Sequence, residues 1–298
     1  MNIYDQISSN KRKTFFIMVM FVIVISFLGY FLGEIYGGQG AGVYVMGMTV
    51  IASSFSAVGS YYFSDKLILS ISGAKKINRA DSPKIYGVLE NLCIGAGIKK
   101  IPDLYIINDT ATNAFATGRD PDHAVVAVTS GLIEKLDKRE IEGVLSHELS
   151  HIKNYDMLLM TIVVVLVGSV TMIANIMFRG GFRSSGSKKS SGGIIILIGL
   201  ALAILSPIIA QLIKLAISRN REYLADASGA MLTRDPEGLA LALDKISKDY
   251  EPLEVANEAT AHLYISNPLR KGKNSDFFSN LFNTHPPVEE RIRRLKEM

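Results

Sequence analysis

An uncharged run of twenty residues, Thr14 to Gly33, limits what this chain can fold into more than any other feature. About twenty apolar residues are needed to cross the hydrocarbon core of a bilayer. Three further stretches meet that requirement. One lies within the uncharged residues Ile35 to Ser64, from about Tyr44 onward, because Gly37, Gly38 and Gly40 read as a turn. The others are Met157 to Phe178 and about Gly193 to Ile213. Lys11, Arg12 and Lys13 precede the first run as they would in a signal peptide. That run is too long for one and lacks a small-residue cleavage site, so it reads as an uncleaved anchor.

Four crossings, at about 14–33, 44–64, 157–178 and 193–213, divide the chain into alternating parts. Residues 1–64 form a short tail with the first two spans, and 65–156 a first polar part. The other two spans fall in 157–213, and 214–298 form a second polar part. The tail and both polar parts then share one side of the membrane. Basic residues flank the spans on that side, among them Lys66, Lys75, Lys153, Lys214 and Arg221, whereas residues 34–43 carry no lysine or arginine. That asymmetry places the polar parts in the cytoplasm. Residues 179–192 run against it, with Arg179, Arg183, Lys188 and Lys189 in a Gly/Ser-rich segment. Either the tendency is outvoted there, or the last two apolar segments form a hairpin that does not cross fully. Four full spans are expected. The net charge of +4 sits largely beside apolar segments, so it does not argue for a nucleic-acid partner; the bilayer is the partner it fits. Cys93 is the single cysteine, which excludes an internal disulfide and a Cys-based metal site and suits helix packing.

The polar parts read as mixed α and β. Ser82-Pro83 opens a helix with Ile85, Val88, Leu89 and Leu92 at helical spacing, ending near Gly95. Strand candidates follow at 104–107, 113–117 and 124–128, with Gly118, Asp120 and Pro121 turning between the last two. Ser130-Gly131 leads into a short helix. Asp137, with Glu140 three residues on, has the spacing of a capping box at the start of a longer one. Beyond the fourth apolar segment the sequence predicts helices over about 214–232 and 236–248. Residues 253–284 look irregular, and a last helix follows Pro286-Pro287. The fold class expected is an α+β membrane protein: four transmembrane helices plus a mainly helical domain with a small β-sheet.

The chemistry concentrates in His147-Glu148-Leu149-Ser150-His151, inside the helix opened by Asp137. Residues four apart lie on nearly the same helical face, so both imidazoles can reach one point about 2 Å from each, as tetrahedral zinc requires. Glu148, beside them, is placed to take a proton from a zinc-bound water and later return it to a leaving amine. Two helix histidines flanking a glutamate by accident should occur on the order of once in a hundred chains of this length. A hydrolytic zinc site needs a third protein ligand and an open position for water. Glu222, in Arg221-Glu222-Tyr223-Leu224-Ala225-Asp226, is the candidate ligand, and Asp226 shares its helical face. One carboxylate can bind the metal while the other accepts a ring N–H of a ligand histidine. The competing explanation is an exposed helix with ion pairs from Arg219 and Arg221. The histidine pentad decides between them. Two antiparallel spans between the pentad and Glu222 would return the chain to the same membrane surface and bring the ligands together.

With these strings in order, the sequence resembles the HtpX-type membrane zinc endopeptidases, relatives of the CAAX prenyl proteases. The shared motifs are His147–Asp156 (HELSHIKNYD), Arg221–Asp226 (REYLAD), Asn113-Ala114-Phe115-Ala116 (NAFA) and Thr284-His285-Pro286-Pro287 (THPP). The resemblance implies a gluzincin-like catalytic domain with one Zn2+ per chain and a cytoplasmic active site in the cell membrane. It also implies proteolysis of unfolded or misassembled membrane proteins. Beside it, Asn113, Ala114, Phe115 and Ala116 become candidates for an edge strand that pairs with an extended substrate, where the residues alone suggest a core strand. His285 becomes a candidate donor to the oxyanion, where alone it reads as a helix-start histidine. His123 and His262 read as turn or surface residues, and Asn154 and Asp156 as a cap or bridge at the membrane surface. Two other readings compete with an enzyme: a zinc-bound but inactive membrane scaffold or regulator, and a transporter. Glu148 argues against the scaffold, since a structural site needs no base. The absence of Asp, Glu, Lys, Arg and His from all four spans argues against the transporter.

Overall fold

The computed structural model describes residues 3–168, 218–256, 260–266, 268 and 286–298. These residues are mainly helical with one small mixed sheet. Contacts divide the chain into two units. One comprises Met1–Lys11, Phe63–Thr161 and Ala216–Met298, and the other Arg12–Tyr62 and Ile162–Leu215.

The second unit holds most of two long helices, α1 (Ile3–Gly37) and α2 (Ala41–Ile71). Both are long and apolar enough to cross a membrane. At 1.5 Å per residue, α1 spans about 50 Å, well beyond the roughly 30 Å of a bilayer core. The turn between them is closed by Glu34, whose carboxylate accepts the backbone N–H groups of Gly40 and Gly42 at 3.2 Å, at the start of α2. The two helices lie close: a Cβ on Gly33 would fall 2.7 Å from the Gly42 Cα. Outward-facing Phe15, Phe27, Phe31, Met48 and Phe55 leave an apolar surface of the kind lipid tails cover. The third expected span begins in a helix over Asp156–Gly168. Its remainder and the whole of the fourth lie outside the described residues.

In the first unit, α3 (Pro83–Ala96) has proline in its first turn and ends on Gly97 in the left-handed conformation that glycine adopts without strain. The sheet has the order β1-β2-β4-β3, with β1 at Lys75–Lys76, β2 at Asp103–Ile107, β3 at Ala114–Gly118 and β4 at Ala124–Thr129. The β2–β4 pair is parallel, and β4 runs antiparallel to β3 in the register Ala114↔Val128. Among the described residues β3 is therefore an edge strand, although all five of its residues are buried. The two-residue β1 has no signal in the sequence. After α4 (Ser130–Lys135), α5 runs over Lys138–Lys153 and α6 over Asp156–Gly168. The expected capping box is present: the Asp137 carboxylate accepts Glu140 N–H at 3.0 Å, and the Glu140 carboxylate accepts Asp137 N–H at 2.8 Å. Two helices, α7 (Arg219–Thr233) and α8 (Pro236–Lys248), pack on α5, and a last helix, α9 (Val288–Lys296), packs on both. The shared core includes Leu89, Leu104, Val126, Leu145, Leu149, Ile152 and Leu243. α5 is thus enclosed on its apolar face by α3 and the sheet, and on another by α7.

Candidate metal centre

The geometry of the centre follows from the position of α5. His147, Glu148 and His151 are 1%, 2% and 7% exposed, far drier than polar side chains usually are. The two rings meet edge to face, with Nε2 of His147 and Nε2 of His151 3.1 Å apart. Glu222, in the first turn of α7, completes the group. Its Oε1 lies 3.5 Å from His151 Nε2 and its Oε2 3.8 Å from His147 Nε2. Ligand bonds of 2.0–2.1 Å in tetrahedral geometry separate ligand atoms by roughly 3.3 Å. The observed 3.1–3.8 Å brackets that value. Two imidazole nitrogens and a carboxylate so arranged fit a divalent cation. Among the described residues, these three are the His/Cys/Asp/Glu group whose ligand atoms converge, all within 4.8 Å of one another.

Each ligand histidine is oriented from behind. His147 Nδ1 lies 2.9 Å from Asp226 Oδ1, and His151 Nδ1 lies 3.1 Å from Asp156 Oδ2. A ring that donates from Nδ1 presents the Nε2 lone pair to the metal. The Asp226 contact is the one the shared helical face of Glu222 and Asp226 suggests. Asp156 plays a part the sequence did not disclose. Five residues beyond His151, it reaches back only because the chain turns by 81° between α5 and α6. Asn154 is the C-cap of α5. Arg291, on α9 and 2% exposed, was also missed. It donates to both oxygens of Asp226 and to Ile265 O, and its Nη1 lies 3.8 Å from Glu222 Oε2. A signal for it exists: Arg291 falls on the stripe of Val288, Ile292 and Leu295, where an arginine is out of place.

Burial sets the electrostatics. It pushes the Glu148 carboxyl up to about 7, with Glu222 adding to the effect, while His151 and a hydrogen bond from the Ala116 backbone oppose it. Burial also lowers His147. It disfavours charge on His151 too, but Asp156 and Glu222 outweigh it and raise that ring to about 9. At Asp226 burial is likewise overcome, chiefly by Arg291, and the carboxyl falls to about 2. Glu222 at the rings, with Glu148 close by, supplies carboxylates of the kind a divalent cation would hold.

Beside the ligands, Ala116, Met157, Met160, Leu263, Tyr264 and Ile265 line a narrow apolar cleft. Phe115 packs edge to face on Tyr264 at 5.1 Å. The free edge of β3 is partly taken: Ile265 N–H donates to Ala114 O at 3.0 Å, and Asn113 Nδ2 donates to Ser266 O at 3.0 Å. His123 closes a short 3₁₀ turn, with its exposed ring 2.7 Å from Asp120. His285 lies outside the described residues.

Comparison with known proteins gives the family. The family model described as peptidase family M48 matches residues 79–298, which hold every residue of the centre. The chain belongs to peptidase family M48. Similar proteins include the Protease HtpX homologs of Tropheryma whipplei strain Twist, 44% identical, and of Dictyoglomus turgidum, 45% identical. Each alignment covers 99% of this chain, with 98% of the first relative and 94% of the second. The crystal structure of S. mikatae Ste24p superposes with a TM-score of 0.45 at 18% identity, over 93% of this chain and 67% of that one. An M48 member with two apolar helices of membrane-crossing length among its described residues is a membrane peptidase, and its family implies a metal.

Proposed function

We propose that this M48 peptidase is a zinc-dependent endopeptidase in which His147, His151 and Glu222 hold the ion and Glu148 is the general base. The convergence of three buried ligand atoms from α5 and α7 carries the reading. When bound, zinc would act as a Lewis acid toward a water and a scissile carbonyl. Glu148 takes the proton of the attacking water and delivers it to the leaving amine. Burial favours the neutral form of this carboxyl and a bound cation would favour the charged one, so the group stands between the two states that the two transfers need. Asp226 and Asp156 hold the two imidazoles in the donating tautomer throughout. His285 donates to the oxyanion.

Asn113, Ala114, Phe115 and Ala116 offer the main-chain edge for an extended peptide. A peptide pairing at Ala114 takes over the bond now made by Ile265. Such pairing selects for extended, unfolded chain rather than for sequence. That supports substrates among unfolded or misassembled membrane proteins and a role in membrane quality control under stress. The same reading has the protein in the cell membrane with four spans and the two parts of the catalytic domain, 65–156 and 214–298, facing the cytoplasm.

The test compares wild type with Glu148→Gln in detergent, using an unfolded casein-like substrate and measuring zinc in both. About one zinc per chain is expected in each, with cleavage lost in the variant alone. Glu222→Ala should lose metal. Equal cleavage by wild type and Glu148→Gln would remove Glu148 as the base. A wild type that binds zinc yet never cleaves would leave the inactive scaffold as the better account.

A further inference from the structure

Between α5 and α6 the chain turns through 81° at Asn154 and Tyr155. Tyr155 has φ 58°, in the left-handed region that a residue with a Cβ adopts only when its surroundings hold it there. Part of that hold comes from the first turns of α1, more than 140 residues away in sequence. Asn10 is 3% exposed. Its Nδ2 donates to Asn154 O at 3.0 Å and to Asp156 Oδ1 at 2.7 Å, while its Oδ1 accepts from Arg221 Nη1 at 3.4 Å. The next residue, Lys11, places its Nζ 4.1 Å from the centre of the Tyr155 ring. Asp156 is fully buried and turns its other oxygen, Oδ2, to His151 Nδ1 at 3.1 Å. Arg221 Nε stands 3.7 Å from Asp156 Oδ1.

We propose that Asn10 is a positioning residue of the metal centre: by holding Asp156 it sets the orientation of His151. The residues ahead of the first candidate span then complete the site rather than merely lead into the membrane. A side-chain amide suits the position because it donates to an anion and a carbonyl while accepting from a guanidinium. An aspartate would lose the donor and face Asp156 with like charge. An amide bound to one oxygen restrains the carboxylate and favours the position in which its second oxygen faces the imidazole. This inference rests on the reading that His147, His151 and Glu222 bind zinc.

The test uses the full chain in detergent and reads the zinc dissociation constant by competition with a chromophoric chelator. The thermal midpoint of the metal-free protein is measured alongside. Asp156→Ala is expected to weaken zinc binding about 10–100-fold, as loss of an outer partner does. Asn10→Ala should weaken it less, about 3–10-fold on the same basis. If Asn10 acts through Asp156, the double variant binds zinc no more weakly than Asp156→Ala alone. Asn10→Gln, which keeps the donor one methylene further out, should recover part of the loss. Arg139→Ala, which breaks an exposed ion pair with Asp235, should leave zinc affinity unchanged whatever it does to the midpoint. A constant for Asn10→Ala within about twofold of wild type overturns the proposal. So do losses that multiply in the double variant. Should Asn10→Ala fail to accumulate, Asn10→Ser, too short to span both acceptors, is judged by the same limits. A wild type that takes up no zinc would instead overturn the metal-centre reading beneath it.

Discussion

Arg291 and Asp226 form a two-pronged ion pair in the dry interior, Nε to Oδ2 at 2.8 Å and Nη2 to Oδ1 at 2.7 Å. The same Oδ1 faces His147 Nδ1 at 2.9 Å, so the arginine of the last helix steadies the carboxylate that orients a metal ligand. Burial disfavours the charge on Arg291, but Asp226 and the nearby Glu222 more than compensate and raise its pKa. Removing one partner of such a pair leaves the other charged and unsolvated, at a cost of roughly 3–5 kcal/mol. Arg291→Met should therefore lower the unfolding free energy of the detergent-purified protein by about that much and reduce its zinc content. Arg291→Lys should recover little, because an ammonium cannot make the parallel pair of bonds. Arg291→Met with Asp226→Asn should cost less than the sum of the two. A loss below about 0.5 kcal/mol for Arg291→Met would mean that the pair is dispensable.

Gly229 sets how closely α7 approaches α5. A Cβ there would lie 2.9 Å from Ser146 Oγ and 3.1 Å from the His147 backbone N. Alanine can be accommodated only if the helices separate by some tenths of an ångström, and valine only by more. Since Glu222 rides on α7 and the histidines on α5, separation lengthens the ligand-to-ligand distances. Gly229→Ala should destabilise the fold by about 1–3 kcal/mol, the usual cost of overpacking, and Gly229→Val by more. Both should weaken zinc binding in the same order. Unchanged zinc affinity in both would show that the approach of these helices does not set the ligand geometry.

Asp249 ties the carboxyl end of α8 to the chain entering β3. Its Oδ2 accepts Thr112 N–H at 2.9 Å, the Thr112 hydroxyl at 2.5 Å and Lys135 Nζ at 2.9 Å. Burial works against its charge, but these bonds win and bring the carboxyl to about 2. A depressed carboxyl contributes stability that is complete above its unfolded value of about 3.9 and vanishes as pH falls through the folded one. Asp249→Asn should thus be less stable than wild type at pH 6, with the gap narrowing between about pH 4 and pH 2. Urea unfolding with a chelator present throughout, so that metal loss does not enter, measures the gap. A difference independent of pH across that window would separate the stability from the charge of Asp249.

Local signals made much of the centre legible in the sequence. The capping box at Asp137 and Glu140 places the start of α5, and the four-residue spacing of His147 and His151 places their rings. The same spacing pairs Glu222 with Asp226. In each case the partners lie within about one helical turn, where period and spacing fix the geometry. What stayed hidden depends on contacts between distant segments. Asp156 reaches His151 because Tyr155 is left-handed, Asn10 reaches Asp156 across 146 residues, and Arg291 reaches Asp226 across 65. Hydrophobic periodicity shows which face of a helix is buried, not what that face meets. Asn113–Ala116 reads as a strand from either side of the question, and only the sheet order identifies it as an edge.

Membrane topology offers a test that needs neither metal nor substrate. Cys93 is 1% exposed and burial pushes its thiol up to about 11, so the unsubstituted protein, labelled alongside as the control, is expected to stay blank. Gln39 is exposed in the turn between α1 and α2, and Lys138 is exposed at the start of α5, with 78% of its side chain accessible. If the catalytic residues face the cytoplasm, a membrane-impermeant maleimide added to right-side-out vesicles should label Gln39→Cys at once and Lys138→Cys only after detergent. The reverse pattern would put the catalytic residues outside and overturn the orientation read from the basic residues. Lys188→Cys addresses the remaining pair of apolar segments. Two full crossings put position 188 on the same side as Gln39, so it should label without detergent, whereas a hairpin that enters and returns leaves it protected. The four lysines and arginines of residues 179–192 make this the position where the charge rule and the count of spans disagree. Labelling at 188 without detergent would mean that apolar length, not loop charge, decides how this part of the chain inserts.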